Sequence, residues 1–374
     1  MYMGHMDVVP ANADDWTVDP FSGELRDGYV WGRGSLDMLS ILAAQAVAFA
    51  ESVRERGPFA GDFAFLAVAD EEAAGRYGAR WLVENHWDWV KTDNMVTELG
   101  GFPLAQGRPA LTVGEKGVAW ARLSFTGTAA HGSIPYRADN ALEKLTLAAT
   151  RLRKLRPSIR LSPLVRSMAG TMMTSGWDRF LAGNPLTLDL ALSRLHRTNP
   201  GAAKVLHTAS RMSVSPNVIR SGRKLNIVPD YGELELDIRV LPGQTVEYVQ
   251  EEIFSSLGPL AKEARLEFID YFPSNTSPTD TALYGALESV TEGVVPGSKL
   301  APLFLGGVTD GRFWRQRGST VYGYTLFDDE MTMTDFNRRV HGADERVSVA
   351  GLERALRAFY ELPSVFYSGG SSGL

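Results

Sequence analysis

A chain of 374 residues, 44% hydrophobic and 22% charged, reads as a soluble globular protein, too long for one ordinary core and rich enough in apolar residues for two domains. Its net charge of −6, with no block of Lys or Arg, gives nucleic acid nothing to hold. No apolar run approaches the ~20 residues of a spanning helix, and the absence of cysteine excludes disulfides, a thiol nucleophile and thiolate zinc sites.

The chain opens on Gly4-His5-Met6-Asp7-Val8-Val9-Pro10, a sharp turn after a short apolar strand. Tyr2 and Met3 run straight into that turn, so the N-terminus reads as shortened, with the strand's usual sheet neighbour missing. No basic, then apolar, leader heads the chain, and the cytoplasm is the expected location. A Pro- and Gly-rich loop leads to the strand Tyr29-Val30-Trp31, the tight turn Gly32-Arg33-Gly34, and Asp37 at the start of a helix over 38–54, beside the positive end of its dipole. Phe63 to Val68 is a continuous apolar run, the mark of a central strand covered on both faces, and it ends in Asp70-Glu71-Glu72. A helix holding Trp81, Leu82 and Val83 follows, then the strand Asn94 to Thr97, ending in Glu98. Four strands thus end in His5 and Asp7, Asp37, Glu71 and Glu72, and Glu98, at the edge where open α/β sheets bind ligands.

From Gly114 the pattern changes. A strand over 118–125, a loop holding His131, a helix over 140–155, strands at 217–219 and 232–240, a helix over 245–257 and a strand over 265–271 spell a split βαβ plan. Residues 114–272 are expected as an inserted α+β, ferredoxin-like domain, carrying a helical insertion at about 157–213. Residues 1–113 and 273–374 form the first domain, α/β with a mixed, mostly parallel sheet flanked by helices. Its second part is expected to hold a helix over 281–291, a strand near Leu303 to Leu305, the loop Gly306 to Arg312, a strand over 320–324, a loop with His341 and a helix over 349–362. Ser368 to Gly373 reads as a flexible tail.

A lone His in a loop is usually polar surface, and an acidic pair at a helix start is usually a cap. Several carboxylates and a His converging at the ends of buried strands would instead repel and have to protonate unless a cation lay among them. Oxygen ligands with one imidazole per ion suit Zn²⁺, with Mn²⁺ or Co²⁺ as workable substitutes.

The ordered series made by Gly4-His5-Met6-Asp7, Gly32-Arg33-Gly34 with Asp37, Asp70-Glu71-Glu72-Ala73, His131-Gly132-Ser133 with Asn140-Ala141, Asn226-Ile227-Val228-Pro229-Asp230, Asp237-Ile238-Arg239 and His341-Gly342-Ala343-Asp344-Glu345 covers nearly the whole chain. It resembles the dinuclear zinc metallopeptidase family of aminoacylase, succinyl-diaminopimelate desuccinylase, acetylornithine deacetylase and glutamate carboxypeptidase. The resemblance implies two Zn²⁺ per subunit, with Asp37 bridging, His5 and Glu98 completing one ion, and Glu72 and His341 the other. It implies that Asp7 orients the His5 imidazole, that Glu71 is the general base, and that His131 reaches the partner subunit's active site to donate to the oxyanion, making a homodimer through the inserted lid. Neighbouring side chains point in different directions, so Glu72 can ligate while Glu71 reaches the attacking water. Asn226 and Arg239 match positions that hold a substrate carboxylate; a salt bridge from Arg239 to Asp237 or Asp230 is the equal alternative from the residues alone. Arg312 is a second carboxylate candidate. The expected activity is hydrolysis of an amide or peptide bond next to a free carboxylate, in a small peptide or N-acyl amino acid. A two-metal phosphoesterase finds no basic phosphate cradle here; an inactive or ligand-binding relative, with the shortened N-terminus as its cause, is the alternative.

Overall fold

The computed structural model describes residues 1–369. The first segment contains β1 (Tyr2–His5), β2 (Glu24–Arg26), β3 (Tyr29–Trp31), helix α1 (Leu39–Arg56) and β4 (Phe65–Val68). It continues through α2 (Ala79–Asn85), α3 (Trp87–Val90), β5 (Asn94–Thr97), β6 (Pro103–Ala105) and β7 (Arg108–Glu115). Next come β8 (Gly117–Thr126), β9 (Ala130–His131), α4 (Ala141–Arg153), α5 (Pro163–Met172), α6 (Gly176–Ala182), α7 (Leu188–Thr198) and α8 (Pro200–Ala209). Strands β10 (Ser213–Ser221), β11 (Ile227–Val228) and β12 (Tyr231–Val240), helix α9 (Val246–Leu257) and β13 (Ala264–Phe272) complete the middle of the chain. The last part holds β14 (Asn275–Thr276), α10 (Ala282–Val294), β15 (Ala301–Leu305), α11 (Gly311–Arg315), β16 (Thr320–Gly323), α12 (Met333–Arg339), β17 (Arg346–Ser348) and α13 (Val349–Gly369). Ser368 and Gly369, expected in the tail, belong to this last helix, and the rest of that tail lies outside the described residues.

Among the described residues, eight strands form one mixed sheet in which β16, β5, β1 and β4 run parallel and neighbouring. Both faces of these strands are covered, which is why they lack polar alternation. Tyr2, Val96 and Tyr322 pack beneath α1, α10 and α13, while Met3, Met95 and Val321 pack on the other face with Val83 and Trp314. The expectation that β1 lacks a sheet neighbour is corrected: β1 lies between β4 and β5, with Tyr2 paired to both Phe65 and Val96. Strand β3 also departs from expectation, pairing outside the main sheet with β2 and β17. Three residues of apolar and aromatic character specify a strand without specifying its partner.

A second, antiparallel sheet in the order β10-β12-β8-β13 carries α4 and α9 on one face, with Leu123, Leu145, Leu236 and Ile253 in the core between them. This is the expected split βαβ plan. The helices of the 157–213 insertion lie elsewhere than their place in the sequence suggests. Met168, Met172, Leu188 and Leu206 share a core with Phe102, Leu104, Phe304 and Phe336, so α5–α8 form a layer on β6, β15 and α12 of the main sheet's unit. Amphipathic spacing shows that a helix has an apolar face and leaves open which surface buries it. No helix among the described residues is long and apolar enough to cross a membrane.

Candidate metal centre

The parallel strands β4, β1 and β5 end side by side, and their last residues set the site. His5 closes β1 with 1% of its surface exposed. Its Nδ1 lies 2.8 Å from the carbonyl oxygen of Asp7, so that nitrogen carries a proton and Nε2 turns inward toward the Asp37 and Glu98 carboxylates. The orienting acceptor is therefore Asp7's backbone and not its carboxylate, which stands 3.7 Å away and accepts instead from the backbone N–H groups of Glu71 and Glu72, at 3.2 and 3.1 Å. Asp70, at φ 71°, bends the chain after β4 so that those two N–H groups face Asp7. Asp7 thus docks the acidic loop onto the His5 turn.

Asp37 arrives by another route. The pairing of β17 with β3 brings the segment around His341 against the turn at 32–37. Glu345, fully buried, bonds Arg33 at 2.6 Å and accepts from the backbone N–H groups of Leu36 at 2.7 Å and Asp37 at 3.1 Å. Gly4 allows the same approach from below: a Cβ there would lie 2.4 Å from the Met38 side chain. Asp37 then presents Oδ1 to His5 Nε2 and Oδ2 to His341 Nε2, both at 3.2 Å. Glu98 Oε2 lies 3.4 Å from His5 Nε2, and Glu72 Oε1 lies 3.2 Å from His341 Nε2.

These separations suit metal. Donors around a tetrahedral ion with bonds of about 2.1 Å stand about 3.4 Å apart. The four imidazole–carboxylate distances match that spacing, and two trios, His5–Asp37–Glu98 and Asp37–Glu72–His341, keep their ligand atoms within 4.8 Å of one another and share Asp37, one oxygen to each. The charge balance points the same way. Burial opposes the Asp37 carboxylate, but hydrogen bonds from His341 and His5 hold its pKa well below the usual range. Burial and then the Asp37 charge push Glu98 up to about 8. Burial, Glu98 and Asp310 raise Glu71 well above a normal carboxyl. The carboxylates cannot all ionise together without cations among them.

The other sequence candidates fall in different places. Arg312, expected to clamp a carboxylate, is 1% exposed, bonds the carbonyl oxygens of Thr309 and Ala74, and stacks on Phe313; it ties loops together and has no free face for substrate. Arg239 gives Nε and Nη2 to Asp237 at 2.6 and 3.1 Å, the salt bridge the sequence left open. His131 and Asn226 lie on an exposed two-stranded ribbon of β9 and β11, where His131 Nδ1 meets Ser133 Oγ at 2.8 Å. Two residues had no role assigned from sequence. One is Glu345. The other is Asp310, 1% exposed, with neither carboxylate oxygen hydrogen-bonded among the described residues and its pKa pushed up to about 7 by burial. Glu345 stood inside a quoted motif and Asp310 in the loop Gly306 to Arg312; the partners of Glu345, Arg33 and the backbone of Leu36 and Asp37, lie too far along the chain for sequence to reveal, and so does the burial of Asp310.

The sequence model for peptidase family M20/M25/M40 matches residues 1–364. Among curated proteins, the chain is 27% identical to the N-fatty-acyl-amino acid synthase/hydrolase of Xenopus tropicalis, over 97% of this chain and 71% of that protein. It is also 27% identical to the succinyl-diaminopimelate desuccinylase of Methylorubrum populi, over 96% and 80%. Among solved structures, the fold is similar to an M20 family metallo-carboxypeptidase of Sulfolobus solfataricus, with TM-score 0.72, 16% identity, and 98% and 84% of the two chains covered. Human carnosine dipeptidase 1 gives 0.68 at 15% identity, covering 98% and 80%.

Proposed function

This chain belongs to peptidase family M20/M25/M40 and is a metal-dependent hydrolase of amide or peptide bonds, and from that premise we propose that it cleaves the bond next to a free carboxylate in an N-acyl amino acid, a dipeptide or the C-terminal residue of a short peptide. The observation that carries this reading is Asp37, whose two oxygens face two imidazoles, with Glu72 and Glu98 beside them. Two divalent cations held there, zinc first and manganese or cobalt as substitutes, would supply Lewis-acid polarisation of the carbonyl and acidification of water. Glu71 takes the proton of the attacking water and returns it to the leaving amine. Asp7 fixes both the His5 turn and the Glu71–Glu72 loop, so that base and ligands keep one geometry.

In this reading residues 1–113 and 273–374 are the catalytic domain and 114–272 the lid, with α5–α8 belonging to the lid in sequence and to the catalytic unit in packing. The lid pairs two copies of the chain. His131 serves the partner's site by donating to the developing oxyanion, and Asn226 and the edge of Arg239 left by Asp237 hold the substrate carboxylate. The exposed apolar rim of the ribbon, Ile134, Tyr136, Leu225 and Ile227, supports a covering partner.

The test is a panel of N-acyl amino acids and dipeptides with added Zn²⁺, Mn²⁺ or Co²⁺. Hydrolysis is expected only with metal, and Glu71→Ala should keep its metal while kcat falls about 10²–10⁴-fold. Full activity in excess chelator would overturn the reading.

A further inference from the structure

A cleft of about 840 Å³ opens between the end of α4 and the start of β10 on one side and helices α7 and α8 on the other. It is lined by Arg153, Arg156, Arg197, Lys204 and Arg211, with Asp189 the one carboxylate in the lining among the described residues. Arg211 already spends that carboxylate, its Nη2 lying 2.6 Å from Asp189. Among the described residues no carboxylate lies within ion-pair distance of Arg153, Arg156, Arg197 or Lys204; Arg156 bonds a backbone carbonyl, that of Leu155, and acts on Asp189 only at longer range. Four unpaired cations therefore share one concavity in a chain whose net charge is −6.

Behind the wall sits a further cation. Lys116 is fully buried, and its Nζ donates to Ser213 Oγ, on a residue lining the cleft, at 3.2 Å. Burial, and then the charge of Arg239, pull its pKa down to about 7, with Asp237 opposing and Arg211 adding to the fall. His207, in the lining, is lowered by burial and by Arg211. Like charges held this close lower one another's charge state, and an anion among them relieves that repulsion.

We propose that this cleft binds a small polyanion, a molecule with two or more carboxylate or phosphate groups, at a place separate from the metal centre. The volume is that of a small-molecule pocket. Arginine forks on one wall match planar or tetrahedral oxyanions bidentately, and Lys204 adds a point charge from the other. Because its walls come from the β10-β12-β8-β13 unit and from the helical layer on the main sheet, the bound anion ties these two parts together. The inference does not depend on the hydrolytic reading.

Calorimetric titration of the metal-loaded protein with tripolyphosphate and with propane-1,2,3-tricarboxylate tests it. Both probes also chelate divalent metal, so Asp37→Asn, which lacks the shared ligand, is titrated in parallel. The expected result is one saturable site in wild type and in Asp37→Asn. Binding should weaken about tenfold or more in Arg156→Glu/Arg197→Glu, and in the same direction in Lys204→Glu. The exposed double variant should keep wild-type hydrolysis and melting temperature. The tighter of the two probes identifies the oxyanion. Absence of saturable binding, equal affinity in the charge-reversed variants, or binding that vanishes in Asp37→Asn would each overturn the proposal.

Discussion

Glu345 shows how much of the metal centre is built by a residue that touches no substrate. It neutralises buried Arg33 and receives the backbone N–H of Asp37, so it sets where the shared carboxylate stands. Glu345→Ala strands a buried guanidinium and should cost about 3–5 kcal/mol in urea unfolding. It should also weaken Zn²⁺ binding; unchanged metal affinity beside lost stability would limit Glu345 to a structural part. The imidazoles give a second expectation. Hydrogen bonds to Asp37 and Glu72 hold His341 up to about 10 in the metal-free protein. Burial works against the charged form of His5, yet hydrogen bonds to Asp37 and Glu98 hold it up to about 12. Folded values above the free value of about 6.5 mean that these groups stabilise the metal-free protein fully below that pH, and that their contribution is lost as pH rises through about 10 and then 12. Incoming ions must displace those protons, so affinity should rise with pH through neutrality. Calorimetry in buffers of different ionisation enthalpy should report about one proton or more released per ion; a buffer-independent enthalpy would contradict this.

At the scale of elements, the strands that carry ligands were readable because burial on both faces leaves short continuous apolar runs. Asn94–Thr97 and Phe65–Val68 both ended where the acids begin. The acids themselves were legible as turn motifs. What sequence could not supply was pairing: β3 leaves the main sheet for β17, and Arg33 meets Glu345 at a separation of 312 positions. The α5–α8 layer was legible as helices and not as to its bed, since Met168 and Leu206 would be equally satisfied by any apolar surface of matching shape. The backbone contact at Gly323 was equally hidden. A Cβ there would sit 2.0 Å from the carbonyl oxygen of Glu98, the residue just past the paired end of β5, and 2.9 Å from Thr112 Cβ, and a main-chain oxygen anchored there has little room to step aside. Gly323→Ala should therefore push β16 from β5, cost about 1–3 kcal/mol in denaturant melts, and shift Glu98 enough to lower metal occupancy. A variant that melts and holds metal as wild type does would show slack between these strands.

At the scale of the whole molecule, the candidate metal ligands and the proposed partner-facing groups occupy different parts of the chain. His5, Asp37, Glu72, Glu98 and His341 converge within one unit. His131 and Asn226 stand on a ribbon whose flanks expose Ile134 at 69%, Tyr136 at 81% and Leu225 at 103%. Apolar side chains this exposed beside two polar groups would fit a covering surface. If a second copy supplies that surface, each active site is assembled from two chains, and the two halves of the catalytic apparatus can be broken separately. Glu71→Ala removes the base from a subunit's own site, and His131→Ala removes the donor it lends to its partner. Each variant alone should be inactive. In a mixed dimer one of the two sites has both defects and the other has neither, so random exchange at equal amounts places one intact site in about half of the dimers and should restore about a quarter of wild-type activity. Mixing labelled subunits, confirming exchange by native mass spectrometry and assaying hydrolysis with saturating metal measures this. Confirmed exchange with no recovered activity would place His131 in its own chain's site, and a fully active His131→Ala variant would place it outside catalysis.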